Sequence, residues 1–200
     1  RTLEHCKAAI KASEILGGDK YAVHGAYLID ISENNIGQPI PKTKLNKTSY
    51  VLEQFAQGLN VLESFSERVS IYIENNVLSL DNFRNFNEVP PLFFTTWEDF
   101  KTFEKLYGKK VNILLDYGHL KVSSNTLSIN FLEQLKNFGK CDYIHLSGNN
   151  SISDTNETIK LDDIDKIKLI IEKNSDITIE VYSGESQILR TRKLIEDFLT

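Results

Sequence analysis

The sequence predicts an α/β fold, a (β/α)8 TIM barrel lacking its first three βα units. Three observations carry that prediction. Short apolar runs alternate strictly with amphipathic stretches, which is the pattern of parallel βα units. The runs read as apolar on both faces, as strands covered by helices must be. Five of them end in a side chain suited to acid-base or metal chemistry: His24, Glu74, Asp116, His145 and Glu180. In a barrel every strand end faces one axial site, whereas an open sheet gathers its ligand at one switch point. No Gly-x-Gly-x-x-Gly or Walker pattern follows any run, so the usual signature of a nucleotide-binding open sheet is missing.

In chain order, Leu3, Cys6, Ala9, Ile10 and Ser13 to Leu16 follow helical spacing, and Gly17-Gly18 closes that helix. Tyr21 to His24 is the first strand. Residues 32–47 carry Asn34-Asn35, Gly37, Pro39 and Pro41 and predict a long loop. Thr48 or Ser49 can cap the next helix, whose face is Val51, Leu52, Phe55, Leu59 and Leu62. Val69 to Glu74 is the second strand, followed by a loop through Pro90-Pro91. Thr95-Thr96-Trp97-Glu98 has the form of a capping box and opens a helix carrying Trp97, Phe100, Phe103 and Tyr107 up to Gly108.

Val111 to Asp116 is the third strand. Leu127, Phe131, Leu135 and Phe138 mark a helix closed by Gly139, and Tyr143 to Leu146 is the fourth strand. The polar loop Ser147 to Thr158 follows. Ile164, Ile167, Ile170 and Ile171 line another helix, Ile177 to Val181 is the fifth strand, and Ile188, Leu189, Ile195 and Leu199 line a terminal helix. A full barrel needs eight strands and roughly 250 residues, so the three further units are expected to precede Arg1.

With 200 residues and 40% hydrophobic content the chain can build one globular domain over 1–200. No run reaches the roughly 18 apolar residues of a membrane span. Two cysteines form no disulfide framework, and reduced thiols point to the cytoplasm. The net charge is −5, and the basic residues are scattered, with Lys42-Thr43-Lys44 and Lys47 the densest group. Nucleic-acid proteins gather a basic face because phosphate neutralisation dominates their affinity, so this composition counts against DNA or RNA. A homo-oligomer stays open.

Glu74, Asp116, His145 and Glu180 are separated by 42, 29 and 35 residues, about one βα unit each. On a barrel rim they converge. Three crowded carboxylates repel unless positive charge compensates them. One divalent metal would, and the mixed oxygen and nitrogen set suits Mn, Co, Mg, Fe or Zn. Such an ion polarises a sugar carbonyl, while flanking carboxylates move a proton to and from carbon.

These motifs resemble the xylose isomerase-like TIM barrel superfamily, which includes sugar and sugar-phosphate isomerases and epimerases and the endonuclease IV-type AP endonucleases. The resemblance rests on Leu16-Gly17 with Val23-His24-Gly25, Ile73-Glu74-Asn75, Leu115-Asp116-Tyr117-Gly118-His119, Ile144-His145-Leu146-Ser147-Gly148-Asn149 and Ile179-Glu180. It implies that the strands are the fourth to eighth of a barrel. It further implies that Glu74, Asp116, His145 and Glu180 bind one metal, that Glu74 and Glu180 form the acid-base pair, and that His119 touches substrate. His24 is expected to contact substrate or to pack. The AP endonucleases hold three zinc ions and carry Asp-x-His in the loop after the histidine strand. Here that loop reads Asp154-Thr155-Asn156, which moves the expectation from DNA to a sugar. Epimerases often carry an arginine in the same loop, and this one has none. A barrel relative that has lost catalysis and serves for binding is the third alternative.

Several other residues carry no functional expectation. His5 belongs on the surface, Trp97, Phe93 and Phe94 in the core or an interface with the wall of a sugar site as the alternative, and Asn76, Asn149 and Asn150 in turns. Asp162, Asp163 and Asp165 read as a solvated helix start. Asn75 could steady the neighbouring carboxylate.

Overall fold

A computed structural model describes residues 2–31 and 40–199 of the chain. Of the residues that mark the long loop, Asn34, Asn35, Gly37 and Pro39 lie outside the described residues, as does the Leu199 side chain. The first half runs α1 (Thr2–Ile15), β1 (Lys20–His24), α2 (Thr48–Glu63), β2 (Ser70–Glu74), α3 (Leu80–Asn85) and α4 (Trp97–Tyr107). The second half runs β3 (Asn112–Asp116), α5 (Tyr117–Thr126), α6 (Phe131–Phe138), β4 (Cys141–Leu146), α7 (Leu161–Ile167), β5 (Ile171–Ile179) and α8 (Glu185–Leu199).

The strands form one parallel sheet in the order β1-β2-β3-β4-β5. Consecutive order without a reversal is what a barrel requires and a doubly wound sheet lacks. The sheet also curls. Lys20 on β1 places its Nζ 2.7 Å from Asp176 Oδ2 on β5, the opposite edge strand. In a flat sheet four strand spacings would hold those edges on the order of 19 Å apart, beyond the reach of a lysine. The five strands therefore curve into an arc, compatible with part of a TIM barrel.

The helices cover the outer face. Ile71, Ile73, Leu115, Ile144 and Leu146 alternate with the inward residues and are buried against Leu52, Leu59, Phe100, Phe103, Leu120 and Leu135. Complete burial of a side chain such as Phe100 stabilises by about 1.5–3 kcal/mol. The inner face differs from the expected two-sided apolar strands: Lys20, Tyr72 and Asn112 point inward at its lower end. Lys20 lies over the Tyr72 and Tyr143 rings, and Tyr72 donates to Asp142 Oδ2 at 2.6 Å.

Several boundaries depart from expectation. The capping box lies one residue on, between Thr96 and Asp99 instead of Thr95 and Glu98, because Thr96 accepts from Asp99 N and Asp99 from Thr96 N. Neither Thr48 nor Ser49 caps α2; Lys47 occupies that place without a side-chain bond. Ile171 begins β5 instead of ending a helix, and residues 172–175 bulge out of the β4–β5 ladder. The helices α3 and α5 are additional. As expected, Gly17 (φ +81°) terminates α1 in the left-handed region. Both cysteines are free. Among the described residues no helix is long and apolar enough to cross a membrane.

Candidate metal centre

Register decides which side chains meet. In the ladders His24 pairs with Glu74, Glu74 with Leu114, Asp116 with His145, and His145 with Thr178. Asp116 lies two residues beyond Leu114, and Glu180 two beyond Thr178. Shifts of two keep a side chain on the same face, so all five strand ends present their polar group inward. Glu180 N–H donates to Leu146 O at 3.0 Å, carrying the ladder one residue past β5.

His145 Nδ1 is the centre of the group. It lies 3.1 Å from Glu180 Oε1, 3.7 Å from Glu74 Oε1 and 4.0 Å from Asp116 Oδ2. The structure thus brings together all four residues expected to hold a metal. His119 sits beside them, with Nδ1 3.6 Å from Glu74 Oε1 and Nε2 3.8 Å from Asp116 Oδ2. Its Nδ1 is 2.8 Å from the Asn75 carbonyl. A carbonyl only accepts, so Nδ1 carries the hydrogen and Nε2 faces Asp116 and Asp154. His24 is half exposed, 3.8 Å from Glu74 Oε2, and its ring stacks on His119 at 6.2 Å.

The electrostatics call for positive charge. Burial, the leading effect, pushes the Asp116 carboxyl up to about 6 against the opposing pull of His119. Burial works against the His145 imidazolium, but Glu180 and Glu74 raise it to about 10. Burial likewise opposes the His119 imidazolium, and Asp116, Asp154 and Glu74 raise it to about 10. Glu74 is pushed up by burial, yet His145, His24 and His119 outweigh that and hold it below the usual carboxylate value.

The distances around His145 suit a divalent cation. Ligand atoms at about 2.1 Å from one ion lie no more than about 4.2 Å apart, and the three distances from His145 Nδ1 meet that bound. Asp116 Oδ2 and His145 Nδ1 are both buried without a hydrogen-bond partner; Glu180 is near Nδ1 but out of line for a bond. Two triads, Glu74-Asp116-His119 and Asp116-His145-Glu180, share Asp116, with ligand atoms within 4.8 Å of one another.

No protein-family model matches the sequence, and no curated protein matches it. Solved structures do. TTHB071 protein from Thermus thermophilus, from a crystal soaked with ZnCl2, aligns over 98% of this chain and 69% of its own, with TM-score 0.58 and 13% identity. A provisionally named xylose isomerase from Rhodospirillum rubrum aligns over 97% of this chain and 67% of its own, with TM-score 0.58 and 14% identity. The chain shares its fold with these two structures. At such identity the likeness concerns the fold, and the chemistry has to be argued from this chain's own residues.

Two neighbours of the centre carried little signal in the sequence. Asn75 is fully buried; its Oδ1 accepts from Asp116 N–H at 2.7 Å and its Nδ2 donates to Asp116 O at 3.0 Å. Asp154 places Oδ2 3.3 Å from His119 Nε2, while its Oδ1 is buried without a partner. Asp116 also caps α5, its Oδ1 accepting from His119 N–H at 2.7 Å. At Gly118 a Cβ would meet Ser147 Oγ at 2.5 Å, so a larger residue there would have to displace that hydroxyl. Asp163 corrects the expectation of a solvated helix start. It is buried and accepts from Tyr117 OH at 2.7 Å and Lys121 Nζ at 3.1 Å. Phe94 is fully buried, and Phe93 and Trp97 pack on the core as expected. Asn149 and Asn150 make turns, accepting from Ser151 N–H and Ile152 N–H at 2.9 Å each.

Proposed function

We propose that the protein is a divalent-metal-dependent sugar or sugar-phosphate isomerase or epimerase. The observation that carries this is the approach of Glu74, Asp116 and Glu180 oxygens to within 4.0 Å of His145 Nδ1. In this reading those four residues hold the ion, Mn, Co, Mg, Fe or Zn, and the five strands are the fourth to eighth of a barrel. Consecutive strand order and the curl of the sheet support a barrel wall; the numbering rests on the resemblance of the motifs. The bound ion supplies a Lewis acid for neighbouring sugar oxygens.

The protein's own groups do the rest. Glu180 is the more accessible of the two outer carboxylates, with 27% of its side chain exposed against 10% for Glu74. One carboxylate takes the proton from the carbon next to the carbonyl. Glu74 and Glu180 come from β2 and β5, so the other can return it from a different side, which inverts that carbon. His119 offers Nε2 to a sugar oxygen, and His24 stacks on its ring. Two free thiols suit the cytoplasm.

Titration with Mn2+ followed by assay on a panel of aldoses and ketoses tests the reading. Wild type is expected to bind one ion and to interconvert a sugar pair. Glu180→Gln should abolish turnover while the circular-dichroism spectrum stays that of the wild-type fold. Full turnover in that variant, or no ion bound to wild type, refutes it. Three bound zinc ions with cleavage at abasic DNA would favour the nuclease alternative instead. A bound ion with no turnover would favour the non-catalytic one.

A further inference from the structure

We propose that Asp154, which lies outside the four-ligand set, is a positioning residue that holds the His119 ring with Nε2 beside the metal centre. The inference rests on the isomerase or epimerase reading for what His119 does, and adds one residue to that reading. Asp154 Oδ2 lies 3.3 Å from His119 Nε2, and at the other end of the ring Nδ1 lies 2.8 Å from Asn75 O. A ring held at Nδ1 alone can pivot about that contact. Held at both nitrogens, it keeps Nε2 3.8 Å from Asp116 Oδ2. At 3.3 Å the outer contact is longer than a tight charge-assisted bond of about 2.7–2.9 Å, so it steers the ring and leaves Nε2 room for a sugar oxygen. Asp154 belongs to neither of the two ligand triads.

The loop after β4 is built to put Asp154 there. Its base is closed by a reciprocal backbone pair, Gly148 N–H donating to Glu157 O and Glu157 N–H to Gly148 O, at 2.7 Å each. Asn149 Nδ2 donates to Gly118 O at 2.9 Å, which ties the loop to α5 one residue before His119. Tyr182 N–H donates to Asn156 O at 3.0 Å and ties its far side to the segment after β5. Ser151, at φ +66°, and Asn156, at φ +48°, flank Asp154 in the left-handed region. Such strain, on the order of 1–3 kcal/mol a residue, persists only where the surroundings impose it. The carboxylate gains little of its own from this place. Its Oδ1 is buried without a partner, which costs about 1–3 kcal/mol, and its charge opposes that of Asp116. His119 is the one ion-pair partner Asp154 has among the described residues. A tied and strained loop that delivers an under-bonded carboxylate is therefore arranged around that contact.

The test uses the whole chain. In the metal-free protein the His119 ring is followed by its Cε1–H NMR resonance, assigned with His119→Gln. Wild type is expected to give one sharp line, and Asp154→Ala a line broadened or split as the ring takes a second orientation. Asp154→Asn keeps an oxygen for Nε2 and should restore the single line. With Mn2+ and a sugar that wild type turns over, Asp154→Ala should raise KM roughly 10–100-fold, the usual effect of losing an outer partner, with kcat near that of wild type. Calorimetric Mn2+ titration should give all three proteins the same stoichiometry and affinity. An unmoved ring resonance in Asp154→Ala overturns the inference, and so does a moved ring with unchanged KM. Loss of a bound ion in that variant overturns it too, by making Asp154 a ligand of a second cation. If wild type turns over no sugar, the isomerase or epimerase reading fails, while the ring resonance still decides whether Asp154 holds His119.

Discussion

Replacing Asn75 by alanine removes the two hydrogen bonds that fix the Asp116 backbone, at 2.7 and 3.0 Å, from a position with no solvent exposure. A buried donor or acceptor left without a partner costs about 1–3 kcal/mol. Water drawn into the space left by the side chain recovers part of that, so the two together should cost about 3 kcal/mol. For a chain of this size that lowers the melting temperature by roughly 6–12 °C. Asp116 would also lose its fixed aim, and loosening a residue that orients a ligand typically weakens metal affinity roughly 10–100-fold. Urea denaturation and Mn2+ titration measure both effects. Asn76→Ala is the control: its side chain bonds Phe93 O at 2.7 Å and does not touch Asp116, so it should lower stability and spare affinity. A loss below about 1 kcal/mol for Asn75→Ala, with wild-type Mn2+ affinity, refutes the assignment of Asn75 as the support of Asp116.

Other outcomes follow from the same structure. His119 and His145 are raised to about 10 from an ordinary 6.5, so their protonated forms stabilise the metal-free fold fully below pH 6.5. That stabilisation is lost as pH climbs toward 10. The melting temperature of chelator-treated protein should therefore fall between about pH 7 and 10, and His145→Gln should flatten that fall. Because the same protons compete with a cation, metal uptake near pH 7 should release protons, seen as a dependence of the calorimetric heat on buffer ionisation enthalpy. Thr96→Ala breaks the capping box of α4 and should cost about 1 kcal/mol, read by thermal melts. Phe94 is fully buried at φ +63° among Phe55, Phe100 and Phe103. Phe94→Ala should cost about 3–5 kcal/mol, and a loss under about 1 kcal/mol would mean that the aromatic cluster is not continuous core.

What could be read from the chain beforehand, and what could not, has a physical basis. Strand ends were legible because an apolar run that stops at Glu74, Asp116 or His145 signals both the end of the ladder and the start of chemistry. Helix α5 was not, because it is buried on nearly every side, Ser123, Ser124 and Thr126 included, and a helix without a wet face has no amphipathic period. The start of β5 was hidden by Glu172-Lys173-Asn174-Ser175, polar residues that bulge from the ladder while Ser175 Oγ donates to Cys141 O at 2.6 Å. The centre divides along the same line. Its four strand-borne residues follow from parity, since shifts of two between neighbouring strands never turn a side chain outward. Asp154 lies on a loop that carries no such rule, and only folding brings it 3.3 Å from His119. The sheet therefore gathers the four strand-borne groups, and the loop after β4 adds Asp154 beside His119.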